Sequence, residues 1–143
     1  MGINMKKLDS LNELNKKVSQ IKKDLEDKIV ISICSGTGCK ALASDDLLKA
    51  LKKEIKKSSN KKARILVIKK TGCHGYCERG PIVVVYPQEI CYLGVTEKDI
   101  PEIVESTLKG EIVEHLLYRD EEGNRVVKES DIPFYKYQKR IIL

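Results

Sequence analysis

Residues 29–77 read IVISICSGTGCKALASDDLLKALKKEIKKSSNKKARILVIKKTGCHGYC, and this stretch decides the fold. Ile29 to Ile33 is a short β-branched run of the kind that fills a buried strand, and it ends directly at Cys34. Ser35, Gly36, Thr37 and Gly38 make a loop that leads to Cys39. Ser44 is placed to cap a helix from Asp45 to about Lys57, which buries Leu48, Leu51 and Ile55 and is broken by Ser58, Ser59 and Asn60. Arg64 to Lys69 is the next strand. A strand, a crossover helix and a second apolar strand form a βαβ unit, whose strands are parallel and whose connection is right-handed.

Parallel strands end on the same edge of their sheet. The loop after Ile33 carries Cys34 and Cys39, and the loop after Lys70 carries Cys73 and Cys77, so the two emerge side by side although 33 residues separate the pairs. Topology alone predicts a four-thiol site.

The spacing is Cys34-x4-Cys39 and Cys73-x3-Cys77, and the two intervals contain Gly36, Gly38 and Gly75. Thiolates around an iron-sulfur cluster want backbone N–H groups aimed at sulfur, and glycines let a loop wrap closely enough to supply them. The expected occupant is one 2Fe-2S cluster ligated by Cys34, Cys39, Cys73 and Cys77. Zinc is the main rival, because four thiolates also suit it, but structural zinc pairs are usually Cys-x2-Cys. A thiol-exchange enzyme needs Cys-x-x-Cys, which the chain lacks. His74 cannot by itself supply the histidine pair of a Rieske centre, so it is expected behind the ligands or in solvent. Cys91, between Ile90 and Tyr92 on a strand, reads as a small buried hydrophobe. Lys40, Lys69, Lys70 and Arg79 flank the cysteine loops and could attract an acidic partner, raise a cluster's potential or simply solvate the rim.

Composition bounds the rest. With 143 residues, 41% hydrophobic and 34% charged, one globular domain with extensions is expected. No apolar run is long enough for a membrane span and no signal peptide opens the chain, so a cytoplasmic location is expected, where five cysteines are more often metal ligands than disulfides. The net charge of +6 comes mainly from lysines between Lys49 and Lys70. They alternate with Leu48, Leu51 and Ile55 and lack aromatic neighbours, which favours a solvated helix face over a nucleic-acid patch.

Outside the central stretch, Leu8, Leu11, Leu14, Val18, Ile21 and Leu25 recur at helical spacing, so residues 8 to about 27 read as an amphipathic helix with one apolar stripe. Ile82 to Tyr86 and Ile90 to Val95 form a hairpin around Pro87, Gln88 and Glu89. Asp99 is expected to cap a third helix in a capping box with Glu102, and Gly110 to close it. Beyond Glu111 the pattern weakens to Leu116, Leu117 and Tyr118, a polar turn from Asp120 to Asn124, and an apolar end that suggests a segment continuing or docking elsewhere.

Thr71 to Pro87, TGCHGYCERGPIVVVYP, and Val95 to Val104, VTEKDIPEIV, carry a resemblance. The chain resembles the thioredoxin-like 2Fe-2S ferredoxin domain at the N-terminus of the flavin- and NAD(P)-binding subunit of NAD(P)-linked hydrogenases, a relative of the F subunit of NADH-quinone oxidoreductase. Cys34, Cys39, Cys73 and Cys77 match that family's four ligands. The resemblance implies an α/β, thioredoxin-like fold with a mixed four-stranded sheet flanked by helices. It divides the chain into an N-terminal helix at 1–28, a cluster domain at 29–118 and a connector at 119–143, whose Phe134 to Leu143 is similar to the segment leading into a flavin- and NAD(P)-binding domain. FMN, NAD(P) and a 4Fe-4S cluster would belong to that further domain, which, with other iron-sulfur subunits, would be the partner. These 143 residues hold no Gly-rich nucleotide loop, so one-electron transfer, not hydride transfer, is expected of them. A stand-alone ferredoxin and a zinc-binding interaction module are the alternatives.

Overall fold

The structure, a computed structural model, describes residues 9–139. Helix α1 (Leu11–Leu25) precedes strand β1 (Ile29–Cys34), a one-turn helix α2 (Thr37–Ala41), helix α3 (Ser44–Lys57) and strand β2 (Leu66–Thr71). Strands β3 (Val83–Tyr86) and β4 (Ile90–Tyr92) form the hairpin and lead to helix α4 (Ile100–Lys109), and a small hairpin of β5 (Tyr118–Arg119) and β6 (Arg125–Val126) precedes helix α5 (Pro133–Lys136). The main sheet has the order β2-β1-β3-β4. β1 and β2 are parallel, with Cys34 opposite Thr71, and the other pairings are antiparallel. The mixed four-stranded sheet expected from the sequence is present.

The strand period of two sorts the side chains onto two faces. Ile31, Ile33, Val83, Val85, Ile90 and Tyr92 share a core with Leu47 and Leu51 of α3 and Ile100, Ile103 and Val104 of α4. Cys34, Val84 and Cys91 turn to the opposite face, where Ile132 and Tyr135 from beyond the second hairpin pack with Cys39 and Ile82. That late segment is tied to the sheet's β4 edge by Cys91 N–H donating to Val127 C=O at 2.9 Å and Leu93 N–H donating to Leu116 C=O at 2.9 Å. The lysines of α3 are exposed, as a solvated face requires, and Lys49 pairs with Asp46.

Several local expectations are corrected. The loop expected before Cys39 is instead α2, and Cys39 lies on it. Because α2 runs almost directly into α3, the cap is Ala43 at φ 67°, and Ser44 is buried within the first turn with no partner for its hydroxyl among the described residues. Asp99 stands at the N-cap position of α4, as expected, but makes no side-chain cap bond there and no capping box with Glu102. A 3-10 turn (Glu97–Asp99) starts the helix earlier, and Asp99 closes a capping box on Thr96, accepting from its N–H and hydroxyl at 2.7 Å each. β2 begins at Leu66, after a 3-10 turn (Lys61–Ile65) that occupies the start of the expected strand.

Helix α1 is capped by Ser10, whose hydroxyl accepts from Glu13 N–H. Its apolar stripe is uncovered: Leu11, Leu14, Val18 and Ile21 are all exposed, and Leu8 of the expected stripe lies outside the described residues, as do Ile141, Ile142 and Leu143. Among the described residues no helix is long and apolar enough to cross a membrane.

Candidate iron-sulfur centre

The parallel register of β1 and β2 delivers both cysteine pairs to one edge of the sheet. Cys34 is the last residue of β1, and Cys39 follows on α2; both are buried. Cys73 and Cys77 follow β2 and are exposed. All five cysteines are free thiols, and Cys91 is buried on β4.

The sulfurs stand in two pairs. Cys73 Sγ and Cys77 Sγ are 3.9 Å apart, far beyond a disulfide bond. Two thiolates bound to one tetrahedral metal at about 2.3 Å are separated by about 3.8 Å, so this pair already has the spacing of a chelate. Cys34 and Cys39 are neighbours, and the Cys34 thiol contributes to the raised pKa of Cys39. Among the described residues, no three Cys, His, Asp or Glu side chains surround a single point as one metal ion needs. Two pairs, one buried and one exposed, suit a two-iron cluster with two thiolates on each iron.

Glycines let the loops close. A Cβ on Gly36 would lie 2.9 Å from Cys73 Cβ and 3.0 Å from its sulfur, one on Gly38 would lie 2.9 Å from both Cβ and sulfur of Cys77, and one on Gly80 would lie 2.8 Å from Cys39 Sγ. Gly36 and Gly38 belong to the first cysteine interval, yet each backs onto a cysteine of the second. A backbone donor reaches sulfur as well: Gly75 N–H donates to Cys73 Sγ at 3.3 Å. Gly80 was not singled out from the sequence, although it lies in the quoted motif. Its role depends on the chain turning back after Arg79 to pass the first pair.

Charge balance tells the same story. Burial pushes the Cys39 thiol up to about 11, with the neighbouring Cys34 adding to the shift and the Ile82 amide opposing it. Cys77 is raised by its hydrogen bond to Cys73, then by that neighbour's charge, and less by burial and Cys34. Cys39 and Cys77, each raised in this way, lie in a site short of positive charge, which a bound cationic metal core supplies while deprotonating them. The donor set fits a thiolate-ligated cluster.

His74 turns inward beside Cys73. Its Nε2 lies 3.0 Å from the Thr71 hydroxyl and its Nδ1 2.5 Å from Glu129 Oε1. Of the rim cations, Lys70 pairs with Asp45 at 2.7 Å, which lowers the Asp45 pKa through that hydrogen bond; Lys40, Lys69 and Arg79 are exposed.

A mixed thioredoxin-like sheet with four thiols gathered at one edge defines a metal-thiolate redox domain. The comparisons make this specific. A family model for thioredoxin-like [2Fe-2S] ferredoxins matches residues 12–108, and the chain belongs to that family, whose cofactor is a 2Fe-2S cluster. It is similar to a 2Fe-2S ferredoxin of Clostridium pasteurianum, 50% identical over 52 residues that cover 36% of this chain and 51% of that protein. A 2Fe-2S ferredoxin of Aquifex aeolicus is 52% identical over 52 residues, 36% of this chain and 47% of the relative. These matches thus span about half the length of each relative. The crystal structure of the thioredoxin-like [2Fe-2S] ferredoxin from Aquifex aeolicus superposes with a TM-score of 0.58 at 31% identity, covering 66% of this chain and 99% of that one.

Proposed function

We propose that this chain is a one-electron carrier in which Cys34, Cys39, Cys73 and Cys77 hold one 2Fe-2S cluster. The carrying observation is the interlock of the two loops, in which Gly36 and Gly38 leave room only for the sulfurs and Cβ atoms of Cys73 and Cys77. The cluster, when bound, supplies a reversible one-electron couple. The protein contributes four thiolates, the Gly75 amide aimed at the Cys73 sulfur, and an asymmetric setting. Cys34 and Cys39 lie in the apolar core, whereas Cys73 and Cys77 face outward and give an electron a short way to a docked partner. Nothing in this arrangement needs a proton or a transferred group.

Metal and sulfide analysis of the anaerobically purified chain tests this. Two irons and two acid-labile sulfides per chain are expected; one zinc with no iron or sulfide contradicts it and favours the interaction module.

A finer reading is that the domain serves an NAD(P)-linked oxidoreductase or hydrogenase subunit, with a flavin- and NAD(P)-binding domain and other iron-sulfur subunits as partners in the cytoplasm. The motif from Thr71 to Val104 and the segment from Phe134 onward favour this over a free ferredoxin. The genomic reading frame past Leu143 tests it: a flavin-binding domain supports the reading, and a stop codon refutes it.

A further inference from the structure

The loop from Cys73 to Cys77 is gripped from behind by a polar chain that ligation itself does not use. His74 is 9% exposed, with both ring nitrogens engaged by Thr71 and Glu129. Thr71 Oγ1 also lies 3.3 Å from the Ile33 carbonyl oxygen, and Ile33 immediately precedes Cys34. A hydroxyl has one proton. It goes to Ile33 or to His74 Nε2, and in either case one proton bridges the 2.5 Å contact between Nδ1 and Glu129. Polar contacts therefore run from the backbone beside Cys34, through Thr71 and His74, to Glu129.

Glu129 lies 55 residues from His74 and beyond the 12–108 stretch matched by the family model. The segment that carries it grips the same loop a second time. Phe134 stacks on Tyr76 with ring centres 4.4 Å apart and planes 7° from parallel, and its edge lies 3.8 Å from the position of a Cβ on Gly75. Tyr135 packs edge-on to both rings and is buried with Cys34 and Cys39.

We propose that His74 and Glu129 are positioning residues for the iron-sulfur site, through which the segment at 129–135 sets the placement of Cys73 and Cys77. This rests on the cluster reading above. Removing the Glu129 carboxylate takes away the oxygen 2.5 Å from a buried ring nitrogen, and a loop that swings His74 toward water, carrying Cys73 with it, relieves that loss. Groups behind metal ligands commonly change metal affinity by about 10- to 100-fold when removed.

The test compares the full chain with Glu129→Ala, Glu129→Gln and His74→Ala variants and the double alanine variant. Cluster loss to a ferrous chelator, the paramagnetic spectrum of the reduced protein, and amide exchange over residues 74–77 in the cluster-free chain are measured. Expected for Glu129→Ala are cluster loss faster by about tenfold or more, an altered spectrum and faster exchange at 74–77. Glu129→Gln, which keeps a hydrogen-bonding partner, should restore wild-type behaviour. The double variant should behave like the worse single one, because the two residues act as one unit. Wild-type loss rate, spectrum and exchange in Glu129→Ala, or fully additive effects, overturn the proposal. Should the wild-type chain take up no iron, the cluster reading falls, and the exchange data alone decide whether Glu129 holds the loop.

Discussion

Gly38 stands so close to Cys77 that a Cβ added to it would lie 2.9 Å from the Cys77 sulfur. Gly38 lies on α2 and Cys77 beyond β2, and the parallel pairing of β1 with β2 brings them together. Neither Gly36 nor Gly38 has a left-handed backbone, so glycine is required at both for approach and not for conformation.

Substituting alanine there should therefore be costly. Gly38→Ala and Gly36→Ala must push the second loop outward, at about 1–3 kcal/mol by analogy with overpacked cores. Iron content should fall in both. Gly72→Ala, whose added Cβ meets nothing within 4 Å, is the control and should retain full iron.

Serine at each of Cys34, Cys39, Cys73 and Cys77 should lower iron and sulfide occupancy. Cys91→Ser should lower only stability, by about 1–3 kcal/mol for a hydroxyl placed in an apolar setting, since Cys91 is buried on β4 among Cys34, Val84 and Ile132. Iron analysis and thermal melts of the five variants check this. Cluster loss in Cys91→Ser with retention in Cys77→Ser would refute the ligand set.

Asp99 gives a pH-dependent term. Burial raises its carboxyl, but the bonds from the Thr96 hydroxyl and N–H, with His115, outweigh that and hold it below the usual range. A lowered carboxyl contributes stability above its unfolded pKa of about 3.9, and that contribution is lost as pH falls through the lower folded value. Thr96→Ala and Asp99→Ala should each cost about 1 kcal/mol at pH 7. The difference in Tm between Asp99→Ala and wild type should shrink below about pH 4.

Helix α1 buries no residue. Truncating the chain to begin at Leu25 should move the melting temperature by no more than about 2 °C, the scale of surface changes, and leave cluster occupancy unchanged. A drop of more than about 5 °C, equivalent to a kcal/mol or more, would mean that the helix has a tertiary role.

Much of this architecture is legible in the sequence, for physical reasons that also mark where legibility ends. The β-branched run before Cys34 and the amphipathic spacing of Leu48, Leu51 and Ile55 carry strong local periods, and parallel pairing converts them into a convergence of four thiols. The short helix α2 is not legible, because Gly36, Thr37 and Gly38 have loop propensities, yet Gly36 is its extended N-cap and Thr37 and Gly38 open its single turn. The capping box at Thr96 is masked by Asp99 and Glu102, which satisfy the same spacing rule three residues later. The contact between His74 and Glu129 spans 55 residues, and no local pattern reports a pairing of that range. The late residues Ile132 and Tyr135 look like an apolar tail until the uncovered face of β1, β3 and β4 shows what they bury.

The central claim is most directly tested by anaerobic reductive titration of the purified chain followed by paramagnetic resonance. One electron taken up per chain, with a single S = 1/2 signal integrating to one spin, is the expected result. Uptake of no electrons, or of two with cleavage to free thiols and no paramagnetic signal, would contradict it.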